Sequence, residues 1–85
     1  MYKIGFTKHA DKEFKNLPSV IKDSMRKVLN GVFVQDPYNH SLAIKKLHEP
    51  LTGYRLRVGS YRILYLVEDD YIKVYKIEHR KDAYK

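Results

Sequence analysis

Three runs rich in aromatic and β-branched residues close the sequence, and they limit its fold more than any other feature. Tyr54 to Val58, Tyr61 to Val67 and Tyr71 to Ile77 have the composition of strands. Gly59-Ser60 separates the first two, and glycine supplies the positive φ needed at the first position of a tight two-residue hairpin turn. Glu68-Asp69-Asp70 joins the second run to the third. The expectation is an antiparallel meander. Its middle strand is apolar on both faces, which suits a strand with a neighbour on each side and helices over it.

The first half has a different period. Tyr2 to Phe6 reads as a short strand, and Thr7 as a helix N-cap whose hydroxyl accepts from a free backbone N–H. Ala10, Phe14 and Leu17 follow at helical spacing until Pro18 interrupts, with Ser19 as a second N-cap. Ile21, Met25, Val28, Leu29, Val32 and Phe33 form one apolar stripe, which is ordinary core packing. Between Gln35 and Gly53 the pattern is least regular. Asp36-Pro37 and His48-Glu49-Pro50 are turn signals, and Leu42 to Leu47 is compatible with a short strand or a helical turn. The order β-α-α-β-β-β predicts an α+β fold, two helices packed on an antiparallel sheet, as a single domain over 1–85.

Size and charge narrow the chemistry. With 85 residues the chain buries only roughly 60–65% of the surface its unfolded form exposes, so chemistry belongs on a face or in a shallow groove. There are 17 Lys+Arg against 10 Asp+Glu, a formal charge of +7, and a field of that sign attracts polyanions. The absence of cysteine excludes disulfides and cysteine-bound zinc. No signal-like stretch opens the sequence, and the longest apolar run, Ile63 to Val67, is too short to span a bilayer. A cytoplasmic protein with no membrane partner is expected.

The placement of arginine needs explaining. With Gly59-Ser60 as the turn, Val58 pairs with Tyr61, Leu56 with Ile63, and Arg57 with Arg62. Alternation puts Arg55 on the same face as Arg57. Like charges directly opposite one another destabilise a sheet, and no acidic residue lies between Arg55 and Arg62. A bound polyanion supplies a reason for the arrangement, because each guanidinium can donate two parallel hydrogen bonds to a phosphate. The plainer alternative is that the arginines reach separately into water or pair with carboxylates elsewhere in the fold. Lys45, Lys46, Arg80, Lys81 and Lys85 are placed to extend the basic surface.

Other chemistry-bearing residues say less. Tyr54, Tyr61, Tyr65, Tyr71 and Tyr75 lie on strands, where packing is the commoner role, whereas Tyr84 follows a charged run near the chain end. His9, His40 and His48 are isolated, and no histidine pair has metal-ligand spacing. His79 stands beside Arg80 and is a candidate for proton transfer near neutral pH. Nothing calls for a metal or an organic cofactor.

Gly53-Tyr54-Arg55-Leu56-Arg57-Val58-Gly59-Ser60-Tyr61-Arg62-Ile63-Leu64-Tyr65 resembles the central hairpin of RelE-type toxins, in the RelE/ParE superfamily. Ile77-Glu78-His79-Arg80-Lys81-Asp82-Ala83-Tyr84 resembles their carboxyl-terminal signature, and the early helical pair around Leu17-Pro18 also fits. The resemblance implies a cytoplasmic toxin of a type II toxin–antitoxin pair. Such a toxin enters the ribosomal A site, contacts 16S ribosomal RNA and cuts the messenger without a metal, the ribose 2′-hydroxyl attacking the adjacent phosphate. A cognate antitoxin is the implied protein partner.

By position in the matching motifs, Arg55, Arg57, Arg62, Arg80 and Tyr84 fall where the family's functional residues lie. The family's type member has lysines where this chain has Arg55 and Arg57. Arginine stays protonated and is a poor general base, so these two, with Arg62, are expected to bind phosphate and stabilise charge. Proton transfer then falls to Tyr84 or His79, with Arg80 stabilising the transition state or the leaving group. A ParE-like toxin acting on DNA gyrase, a non-catalytic RNA-binding protein and an inactive toxin that only binds its antitoxin are the competing readings.

Overall fold

The strand-rich half of the sequence supplies four strands of one sheet, and the amino-terminal strand returns to complete it. The computed structural model describes residues 2–39 and 41–79. Its elements are β1 (Lys3–Phe6), α1 (Lys8–Lys15), α2 (Ser19–Asn30), the short α3 (Val32–Gln35), β2 (Ile44–Lys46), β3 (Tyr54–Val58), β4 (Tyr61–Glu68) and β5 (Tyr71–His79). The sheet runs in the order β1-β5-β4-β3-β2. β1 lies parallel to β5 at one edge, and every other neighbouring pair is antiparallel.

Local chemistry sets most boundaries. The Thr7 hydroxyl accepts from the Ala10 N–H at 3.2 Å, and the Thr7 N–H donates to the Val74 carbonyl at 2.9 Å. The cap of α1 is therefore also its attachment to β5. At the start of α2 the expectation is corrected: Pro18 occupies the cap position with no side-chain hydrogen bond, and Ser19 is already helical. Proline has no N–H to leave unpaired there, while its carbonyl accepts from Ile21 and Lys22 at 3.0 Å each. The apolar stripe through Phe33 is also interrupted. Gly31 ends α2, and Phe33 reaches the core from the separate turn α3.

Within Leu42 to Leu47 the strand alternative holds, over Ile44–Lys46 alone. Ile44, Lys45 and Lys46 pair with Leu56, Arg55 and Tyr54, since β3 offers a free edge on which so short a segment can form. Glu68 belongs to β4 opposite Tyr71, so the turn is Asp69-Asp70 alone, with Asp69 at φ 54°. At the first hairpin Gly59 has φ 60°, as the turn requires.

The helices cover one face of the sheet. Ala10, Met25, Leu29 and Phe33 pack there against Leu56, Ile63, Tyr65, Ile72, Val74 and Ile77. Full burial of a side chain such as Phe33 stabilises the fold by about 1.5–3 kcal/mol. The Tyr65 hydroxyl meets its need for a partner by donating to the Pro37 carbonyl at 2.6 Å. Its ring lies edge-on to Phe33 at 4.9 Å and stacks on Tyr54 at 5.7 Å.

Leu64 belongs to the face of the middle strand that the helices do not cover. It is buried yet lies outside the helix-side cluster, in a groove shared with Leu47 and Leu51 of the β2–β3 connection.

One irregularity decides which side chains share a face. β4 and β5 pair Leu64 with Lys76 but Tyr65 with Val74, so Tyr75 is an extra residue, a β-bulge. Ile72 and Val74 point to the core before it and Ile77 after it. A three-residue step between inward positions is impossible in regular alternation, and the bulge exchanges the faces of residues 76–79.

Candidate functional site

The face without helices carries the basic residues of the hairpin. In the β3–β4 ladder Arg57 pairs with Arg62, Leu56 with Ile63, and Val58 with Tyr61. Leu56 and Ile63 are core residues, so Arg57 and Arg62 project from the opposite side, together with Arg55. Lys45 pairs with Arg55 from β2 and joins them. Lys46 pairs with Tyr54, hence falls on the helix side, and extends a different surface.

Two shallow depressions run along the basic face. One, of about 150 Å³, is lined by Leu42, Ala43, Ile44, Lys45, Arg55 and Arg57. The other, of about 240 Å³, has Leu64 as an apolar residue between Arg55 and Arg62, with Lys76, Tyr75 and Glu78 from β5 and with Leu47 and Leu51 from the β2–β3 connection. Arg55 is common to both. The connection is tied across the sheet by the Tyr75 hydroxyl, which donates to the Thr52 carbonyl at 2.8 Å. Burial, and secondarily the charge of Glu78, push the Tyr75 phenol above its ordinary value, so it stays a protonated donor.

Among the described residues neither Arg55 nor Arg57 forms an ion pair. A carboxylate also lies on this face beside the arginines: Glu78, which the bulge places opposite Arg62. Its side chain is 17% exposed and lies 3.6 Å from the Lys76 ammonium. The sequence reading missed Glu78 because plain alternation along β5 from Ile72 and Val74 sends it to the helix side. No sequence signal marks the bulge.

The same inversion moves His79. It pairs with Tyr61, on the helix side, where its ring stands edge-on to the tyrosine at 4.8 Å and 86°. Glu13, Asn16 and Leu17 of α1 and its C-terminal turn line a depression of about 350 Å³ beside it. His79 thus lies on the face opposite Arg55, Arg57 and Arg62. Arg80, Lys81, Tyr84 and Lys85 lie outside the described residues. Among the described residues no group of three or more His, Cys, Asp or Glu is placed to hold a metal ion, and no helix is long and apolar enough to cross a membrane.

Comparison with known proteins bears on this arrangement. Residues 4–84 match the family described as the ParE toxin of type II toxin–antitoxin system, parDE. The chain belongs to the RelE/ParE toxin superfamily. Within that superfamily it is 32% identical over 83 residues to toxin RelE3 of Methanocaldococcus jannaschii, covering 96% of this chain and 94% of the relative. Toxin RelG of Mycobacterium tuberculosis is 28% identical over 87 residues, covering 99% and 97%. Among solved structures, a chain of the toxin–antitoxin complex RelBE2 from M. tuberculosis superposes with a TM-score of 0.81 at 27% identity, covering 93% of this chain and 98% of that one. The RelE/ParE architecture of two helices on a five-stranded, mostly antiparallel sheet is therefore this chain's own.

Proposed function

We propose that this RelE/ParE protein is a RelE-like endoribonuclease that cuts messenger RNA in the ribosomal A site, and that a cognate antitoxin holds it in check. The observation that carries the reading is the Arg57–Arg62 pair, juxtaposed on the helix-free face with Arg55 and Lys45 in register beside it. Four cations gather there beside the Glu78 carboxylate, and like charges directly opposite one another disfavour a sheet. A sugar–phosphate backbone relieves that repulsion, and the face is open enough to take an extended strand.

The chemistry follows from the residue types. Attack of the 2′-hydroxyl on the adjacent phosphate builds negative charge on the phosphoryl oxygens. Arg57 and Arg62 stabilise that charge, and Arg80 supports the transition state or the leaving oxygen. Arg55 and Lys45 position the strand, with Lys46, Lys81 and Lys85 contributing contacts to the ribosome or the message. Tyr84 donates the proton to the departing 5′-oxygen. His79 faces away from Arg55, Arg57 and Arg62 and is not given that role. No step requires a metal ion.

The antitoxin follows from the same charge and from the relatives, one of which is solved as a toxin–antitoxin complex. A segment that covers the basic face, such as an amphipathic helix with acidic residues, would block it.

A second reading has its own support, because the matching family is described by ParE. Under it the chain inhibits DNA gyrase. Induced expression without antitoxin, with messenger 5′ ends mapped, separates the readings. Breaks at defined codon positions, abolished in Arg57→Ala/Arg62→Ala and in Arg80→Ala, are expected. Intact messenger with DNA damage supports gyrase inhibition, and ribosome binding without scission supports a non-catalytic RNA binder.

A further inference from the structure

The ribonuclease reading leaves one role unfilled on the basic face. A base must take the 2′-hydroxyl proton, and guanidinium groups cannot. Tyr75 is unsuited, since its phenol is held protonated and already donates to the Thr52 carbonyl. His79 is on the other side of the sheet. Among the described residues, Glu78 is the carboxylate lining the groove that contains Arg55, Arg62 and Leu64. It owes that position to the bulge at Tyr75, a device that recurs beside active sites because it re-aims a side chain.

From this geometry we propose that Glu78 is the general base of the cleavage reaction, an assignment that rests on the ribonuclease reading above. The Glu78 carboxylate accepts the 2′-hydroxyl proton as the 2′-oxygen forms its bond to phosphorus. The bond from phosphorus to the 5′-oxygen breaks, and that oxygen leaves with the electron pair and takes the proton of Tyr84. The products are a 2′,3′-cyclic phosphate and a 5′-hydroxyl end, and both side chains re-equilibrate with solvent. The groups beside the carboxylate on the basic face are Arg55 from β3, Arg62 from β4, and Tyr75 and Lys76 from β5, while Tyr61 and His79 share with it the depression at the sheet edge. From α1, Glu13 approaches the same end of β5, where it accepts from the Ile77 N–H at 2.9 Å. Cations therefore predominate on the face itself, and they draw the phosphate toward the carboxylate.

Single-turnover cleavage of messenger on programmed ribosomes by the full chain, measured from about pH 7 to 9, tests the assignment. Wild type is expected to show a flat profile. E78Q is expected to be slower by on the order of 10²-fold or more, with its rate climbing roughly tenfold per pH unit as hydroxide replaces the missing base. Its melting temperature and ribosome affinity serve as the control for folding. E78Q cutting at the wild-type rate, or slowly but with the wild-type flat profile, overturns the proposal.

If E78Q does not fold, E78D decides. Shortening the side chain by one methylene lowers the rate at unchanged stability if Glu78 is the base, and leaves it unchanged if the residue only balances charge. Wild type that binds ribosomes but cuts nothing overturns the ribonuclease reading and this assignment together. Wild-type cutting with unimpaired E78Q overturns this assignment alone.

Discussion

At the scale of a residue, the proposed ribonuclease reading sets function against stability at Arg57 and Arg62. Like charges directly opposite one another disfavour a sheet by up to about 1 kcal/mol, an amount that Glu78, opposite Arg62, reduces. Arg57→Ala is therefore expected to raise stability by at most that amount in urea denaturation while lowering cleavage by about 10²–10³-fold, as loss of a charge-stabilising donor does. A lower stability for this variant would show that the pair is relieved within the fold. Tyr65 is the opposite case. It is fully buried and hydrogen-bonded to the Pro37 carbonyl, and burial raises its phenol above the ordinary value. A raised folded value means that the folded state holds the proton more tightly than the unfolded chain. The associated stability is fully present below the unfolded value of about 10 and is lost as pH climbs from there. Tyr65→Phe is expected to cost about 1–3 kcal/mol near neutrality, by leaving a buried carbonyl unpaired, and to flatten the alkaline loss. Denaturation curves of both proteins across that range check it.

At the scale of elements, β5 is the strand on which the site depends, and it is held in two ways. β1 pairs with it only as far as Val74, and beyond that point its edge would be bare. Glu13 of α1 covers the gap by accepting from the Ile77 N–H, and the Thr7 hydroxyl reaches the Tyr75 carbonyl at 3.5 Å. Glu13→Ala is expected to destabilise the fold by about 1–3 kcal/mol and to speed amide exchange at Ile77 more than at Ile63 on β4. The sequence made Thr7 legible as a cap because the helical period begins just after it. It could not assign Glu13, whose partner stands 64 positions away. The hairpin register was legible for a related reason, since a two-residue turn leaves no freedom in pairing. The β4–β5 register was not, because a bulge has no composition of its own and cancels the alternation used to sort faces.

At the scale of the whole molecule, four of the 17 Lys+Arg are gathered on one surface. Lys45, Arg55, Arg57 and Arg62 lie together on the helix-free face, so binding to single-stranded RNA is expected to weaken steeply with salt. Four neutralised phosphates give a slope of about −3 in log K against log salt. Titration of a short labelled RNA at several salt concentrations measures it, and a slope near zero would mean that these cations do not act on phosphate. The sequence by itself determined the α+β class, the meander, the Arg57–Arg62 pairing and the charge that asks for a polyanion, because each rests on local period, turn chemistry or composition. Only the tertiary structure decided that Glu78 joins the arginines while His79 leaves them, and that Leu47 and Leu51 line the groove around Leu64. Those outcomes depend on how separate strands are set against one another, and no local pattern in the chain encodes that offset.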